Sequence, residues 1–327
     1  MPEDTRKETL PDNLNICLRA FDTEESANNL GKNLLYITKE LSKDFDVSEL
    51  EGITVAFDYN EALSELDRGV ETNVKLKASA DRVVGVAMTA SVLREGNLKS
   101  HLFFNASYLQ HWLMNGNEDD VRHAIHVIAH EFAHVEFNKY FNICFPDITL
   151  RQKLPNITVV KKYEAGIATW DEFFATRHSA LVGDSRSEGY VTTLLEELSE
   201  AEAIVGIALY EYQTHRNVVD CYNSIAEQVL RLMKFSGYVI GDCYGSNKSL
   251  SDIEILRNEL ANSWFKPYFE ALGKDLEDLA EEYSQWSSFS PFDNILQQYD
   301  NLLQYFGVVV DNEESSTPYV HFYSFKY

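Results

Sequence analysis

Residues 117–140 read NEDDVRHAIHVIAHEFAHVEFNKY, and the reading of the whole chain turns on them. Asn117 is a helix N-cap residue. Glu118, Asp119 and Asp120 follow it into the first turn, where the helix dipole favours anions. Val121, Ile125, Val127, Ile128, Phe132 and Val135 supply the apolar residues of a helix that should run to about Tyr140. Inside it, His130 and His134 stand four residues apart. Such residues differ by about 40° in azimuth and one turn in height, so both imidazoles leave one face, within reach of a single ion. Zinc accepts histidine nitrogen, and a catalytic zinc keeps three protein ligands and one open position. Glu131 lies beside that face, where a carboxylate can take a proton from an attacking water and return it to a leaving amine. The H-E-x-x-H spacing is therefore a mechanical requirement. The bland alternative is a helix whose two histidines merely pack or face solvent.

Working upstream, residues 1 to about 22 read as an irregular lead-in. A helix follows from Glu24 to Lys43, with Leu30, Leu34, Leu35, Ile37 and Leu41 as its apolar stripe. β-prone runs come next at Ile53–Tyr59, Arg82–Leu93 and Lys99–Phe104, and Glu95-Gly96-Asn97 between the last two signals a hairpin. Asn105–Met114 reads as a short helix. Downstream, residues 142–160 read as loop around Pro146 and Pro155, and Thr169–Leu181 as helix. From Thr193 the pattern is almost wholly helical: Thr193–Thr214, Val218–Phe235, Ser251–Trp264, Lys274–Trp286 and Phe292–Phe306. Two β-prone patches, Val308–Val310 and Tyr319–Phe325, close the chain. The expected organisation is α+β over residues 1–190, then a mainly α-helical region over residues 191–327.

A third ligand is needed, and residues 170–177 read WDEFFATR. Here the sequence resembles the gluzincin type of zinc metallopeptidase, in which a later helix supplies a glutamate within E-x-x-A. Glu172 matches the ligand position, 38 residues past His134, and Ala175 the small residue. The resemblance covers about residues 25–185. It implies a zincin-like catalytic region made of a backing helix, a small mixed sheet, the H-E-x-x-H helix and the glutamate helix. It also implies one zinc ion on His130, His134 and Glu172, with Glu131 as general base and acid in peptide-bond hydrolysis. Asp171 and Glu164 are the alternative third ligands. Many family members carry Asp or Asn four residues after the ligand glutamate, where it orients a ligand imidazole; this chain has Thr176, a departure. The metzincin pattern is excluded, because it needs Gly at 137 and His at 140, where Phe137 and Tyr140 stand.

Other residues belong to the same neighbourhood. His123 and His126 share the azimuth of the zinc histidines, so His126 is a candidate to line the cleft or hold a second ion; the bland reading is an interior histidine. Arg177, His178 and Tyr190 are the candidates for stabilising the oxyanion. In zincins an edge strand pairs with extended substrate, and residues 84–93 or 99–104 are the expected strand.

Composition bounds the rest. Against 28 basic residues stand 52 acidic ones, a formal charge of −24. Such a surface repels phosphate backbones and anionic lipid, which argues against nucleic-acid or membrane-surface binding. Cys17, Cys144, Cys221 and Cys243 form no CxxC pair, so free and mostly buried thiols in a reducing compartment are expected. No stretch reads as a signal peptide or a membrane span, which makes the cytoplasm the expected location. The leading expectation is a zinc metallopeptidase acting on a peptide or protein. Its rivals are a zincin-derived sensor or regulatory protein with little turnover, and a zinc hydrolase of a non-peptide amide.

Overall fold

The computed structural model describes residues 6–71, 75–78, 85–182 and 185–323. The chain divides into two compact units. One comprises Met1–Gln152 with His178–Asp184, the other Lys153–Arg177 with Ser185–Tyr327.

The first unit is α+β. Its elements are β1 (Asn15–Arg19), α1 (Glu24–Leu41), β2 (Leu50–Ala56), α2 (Tyr59–Glu65), β3 (Ala87–Arg94), β4 (Asn97–Asn105), α3 (Ala106–Gln110) and α4 (Glu118–Cys144), with a π-helical turn over His111–Asn115 between the last two. The sheet is mixed, in the order β1-β2-β4-β3. Strands β1, β2 and β4 run parallel, and β3 pairs antiparallel with β4. Glu95 and Gly96, both at positive φ, make the two-residue turn of that hairpin, the backbone geometry that matches strand twist.

The register assigns the faces. Thr89, Leu102 and Ile53 lie in register across β3, β4 and β2. Since Thr89 touches α4 through Glu131, this row faces α4. Ile53, Val55, Leu102 and Phe104 are fully buried there. The opposite face carries Ala56, Ala90 and Phe103, packed with Tyr59, Ala62 and Leu63 of α2.

Helix α4 starts as the sequence dictates. The Asn117 side chain accepts from the Asp119 and Asp120 amides, and Asp120 accepts in return from the Asn117 amide, a closed capping box. The helix continues to Cys144 rather than stopping near Tyr140. Phe137, Phe141 and Phe145 extend its aromatic edge, with ring centroids 5.2 and 5.0 Å apart.

Several expectations for this unit need correction. The supposed lead-in contains β1, and Tyr59, read as strand, opens α2. Residues 82–84 of the expected third strand lie outside the described residues. Residues 99–104 do not form an edge: β4 is interior to the sheet, and β3 is the outer strand of the pair.

The second unit is mainly helical: α5 (Ile157–Ser179), α6 (Ser187–His215), α7 (Val218–Gly245), α8 (Glu254–Leu260), α9 (Lys266–Glu281) and α10 (Asp293–Tyr305), closed by the hairpin β5 (Val308–Asp311) and β6 (Tyr319–Phe322). The two β-prone patches form this hairpin, so the region is mainly rather than wholly helical, and residues 324–325 of the second patch lie outside the described residues. Helix α5 begins at Ile157, inside the expected loop. The β-branched run Thr158-Val159-Val160 favours helix weakly, and tertiary packing decides: Thr158 and Val159 are buried. Residues up to Arg177 of α5 group with the helical unit, whereas the sequence reading set them before a boundary at 190. Its aromatic face explains why. Trp170 meets Trp286 at 5.6 Å, Phe174 meets Tyr283 at 4.6 Å and Phe173 meets Tyr244 at 6.0 Å.

Helix α7 approaches α5 through two glycines. A Cβ at Gly237 would press on the Thr169 carbonyl, and one at Gly241 on the Phe173 carbonyl and the Thr176 hydroxyl. A Gly241→Ala substitution should therefore destabilise the protein by up to about 2 kcal/mol. Overpacking against backbone typically costs about 1–3 kcal/mol, which outweighs the roughly 1 kcal/mol that alanine gains over glycine in a helix. Urea unfolding measures it, and a variant as stable as wild type would contradict this packing.

Among the described residues no helix is long and apolar enough to cross a membrane. All four cysteines are free. Cys221 and Cys243 are buried, Cys144 is half-buried and Cys17 is exposed. Burial pushes the Cys221 and Cys243 thiols up to about 11, which makes them poor nucleophiles.

Candidate metal centre

The two histidines of α4 converge as their spacing requires. Their Nε2 atoms are 3.0 Å apart, and the rings stand nearly perpendicular with centroids 4.6 Å apart. Two nitrogens bound to one tetrahedral zinc at about 2.0–2.1 Å lie about 3.3 Å from each other, so this pair needs only a small adjustment to share an ion. His134 is buried and His130 half-buried.

Glu172 sits mid-way along α5 and is also buried. His130, His134 and Glu172 each offer one ligand atom, and the three atoms lie within 4.8 Å of one another. Two imidazoles and one carboxylate are a donor set that suits zinc. Among the described residues this is the one group of three or more such side chains so arranged. Of the alternative ligands, Glu164 instead pairs with Lys161 at 3.0 Å and is half-exposed, and Asp171 is not in the group.

Glu131 is 6% exposed. The Thr89 hydroxyl on β3 donates to its Oε2 at 2.6 Å and lies 3.2 Å from its backbone carbonyl. One side chain of the outer strand thus fixes the carboxylate next to the histidine pair. Tyr59 is a further neighbour. Its hydroxyl is buried, makes no hydrogen bond among the described residues, and is pushed well above the usual phenol range by burial and then by the charge of Glu131. The sequence reading named neither Thr89 nor Tyr59, because both reach the site by tertiary folding alone.

The remaining sequence candidates fall as follows. Thr176 is fully buried, and its hydroxyl donates to the Glu172 carbonyl one turn back at 2.7 Å. Its proton is committed, and only its lone pairs can serve an imidazole N–H. His126 is 2% exposed on α4. His123 packs edge-on against Trp112 with centroids 4.4 Å apart. Arg177 lies over the rings of Phe173 and Tyr244, 5.9 and 6.0 Å from their centroids. His178 is the penultimate residue of α5. Tyr190, on α6, packs against Tyr238 with ring centroids 5.0 Å apart and the rings tilted by 43°. Burial, then Asp242 and Glu172, push its hydroxyl far above the usual range.

Glu172 has one partner that the sequence gave no reason to name. Lys234 of α7 places its Nζ 2.9 Å from Oε1.

Compared with known proteins, the chain matches no family model, no curated protein sequence and no solved structure.

Proposed function

We propose that the chain is a zinc-dependent metallopeptidase of gluzincin type, with a zincin-like arrangement of α4, the sheet and α5. The observation that carries this reading is the convergence of His130, His134 and Glu172, with Glu131 next in sequence to a ligand and anchored on an outer strand.

In this reading His130, His134 and Glu172 hold one zinc ion. Bound zinc would polarise the substrate carbonyl and bring the pKa of its water to about 7. Glu131 takes a proton from the attacking water at its carboxylate, then delivers it to the leaving amine nitrogen. Thr89 keeps that carboxylate aimed, since a hydroxyl proton on Oε2 fixes the rotamer. Strand β3 offers an extended substrate an antiparallel or parallel partner, so the scissile bond would lie alongside Glu131. Near the far end of β3, the Leu93 amide and the Ser91 carbonyl are already bonded to Arg68, which restricts pairing to the portion near Thr89. The substrate is a peptide or protein rather than nucleic acid or membrane, in keeping with the acidic surface. Free cysteines are in keeping with a cytoplasmic setting.

One observation favours a second reading, a regulatory or sensor protein with a closed zinc site: Glu131, His134 and Glu172 are each less than a tenth exposed. Incubation of the zinc-loaded chain with an unbiased peptide library separates the two. Cleavage that a chelator abolishes supports the peptidase. One tightly held zinc with no cleavage supports the closed site.

A further inference from the structure

We propose that Lys234 is a positioning residue for the metal ligand Glu172, holding its carboxylate aimed from the neighbouring helix. The inference rests on the reading of Glu172 as a ligand and adds to it a part played by α7.

Three observations carry it. The ammonium of Lys234 lies 2.9 Å from Glu172 Oε1, close enough to fix the orientation of the carboxylate. Glu172 is only 7% exposed, and a charged contact shielded from water orients its partner more strongly than one at the surface. The ammonium itself is steered, because its Nζ stands 5.8 Å from the centre of the Tyr238 ring one turn on, within cation–π range. That ring is braced by Tyr190 and Phe235, at centroid distances of 5.0 and 5.6 Å.

The helix contact explains why the reach is fixed. Lys234, Gly237 and Gly241 are spaced three and four apart, one stripe of α7. The glycines lie against the backbone of α5 at Thr169 and Phe173 and against the Thr176 hydroxyl, the same turns that carry Glu172. With no Cβ at those points the helix axes stay close, and a lysine stem spans the gap. Lys234 is a third exposed, so a merely structural ion pair there would contribute little to stability. A role in holding the ligand gives the pair a distinct consequence.

The test is zinc affinity, by competition with a chromophoric chelator, for wild type, Lys234→Gln, Lys234→Arg and Glu172→Ala. Lys234→Met serves as a second neutral variant. Loss of a group that orients a ligand typically weakens binding about 10–100-fold. Lys234→Gln and Lys234→Met should therefore bind zinc at least about tenfold more weakly, while Lys234→Arg stays within about threefold of wild type. The visible spectrum of the cobalt(II)-loaded protein should change in the neutral variants and be kept in Lys234→Arg. The proposal is overturned if the neutral variants bind zinc as tightly as wild type, or more tightly, whatever their melting temperatures. It is equally overturned if Lys234→Arg loses as much affinity as Lys234→Gln. Should Glu172→Ala itself bind zinc like wild type, the ligand assignment fails first. A weakened Glu172→Ala beside unaffected Lys234 variants removes the positioning role alone.

Discussion

Glu131→Gln should hold zinc as tightly as the wild type and cleave peptides about 10²–10⁴-fold more slowly, the usual contribution of a general acid–base group. The substitution keeps the shape of the side chain and one oxygen for the Thr89 hydroxyl, so the 2.6 Å contact has a substitute acceptor. It removes the ability to accept and return a proton. Glu131 is not among the three grouped ligand residues, and zinc content should stay at the wild-type level. The effect belongs in kcat, because the lost interaction is made in the transition state. A variant that loses zinc and activity together would show that Glu131 supports the metal instead. One that keeps full activity would remove it from the chemistry.

The second large effect is expected at Glu172→Ala. Structural zinc sites with four ligands bind with about 10–16 kcal/mol, or about 2.5–4 kcal/mol per ligand. Losing one ligand should then weaken zinc binding about 10²–10³-fold, at about 1.4 kcal/mol per factor of ten. Fold stability without metal should change far less. Glu172 projects from mid-helix, and its partner Lys234 is partly exposed and can turn to water. Isothermal titration of wild type and variant at equal pH measures the difference. An unchanged zinc affinity would exclude Glu172 and return the choice of third ligand to Asp171 or Glu164.

How much of this was legible in the sequence depends on how local each determinant is. Helix α4 was legible because its cap, its acidic first turn and its apolar period all agree within one stretch. So was the β3–β4 hairpin, set by Glu95-Gly96. Helix α2 escaped because it is a single short segment, and Asp58 before it makes no cap. Its carboxylate instead accepts from Arg19 at 2.7 Å, a partner distant in sequence. The start of α5 was set too late because β-branched residues and a nearby proline imitate a loop. Packing of Thr158 and Val159 overrides that local preference.

The candidate site divides in the same way. His130, Glu131 and His134 follow from helical spacing, and Glu172 from a motif four residues long. Thr89 and Lys234 reach Glu131 and Glu172 only through sheet register and helix packing, which no local pattern encodes. The hydroxyl of Thr176 shows the opposite case. The hydroxyl donates its proton to its own helix at the Glu172 carbonyl, as threonine often does mid-helix, so any imidazole N–H it meets would bond to a lone pair.

Metal analysis of purified wild type beside His134→Ala tests the central claim most directly. His134 supplies one of the two nitrogens that stand 3.0 Å apart, and alanine removes it without enlarging any side chain. The account predicts about one zinc per wild-type chain, as a site of three protein ligands requires, and essentially none in the variant. Wild type that holds no zinc, or a variant that retains it in full, would contradict the account.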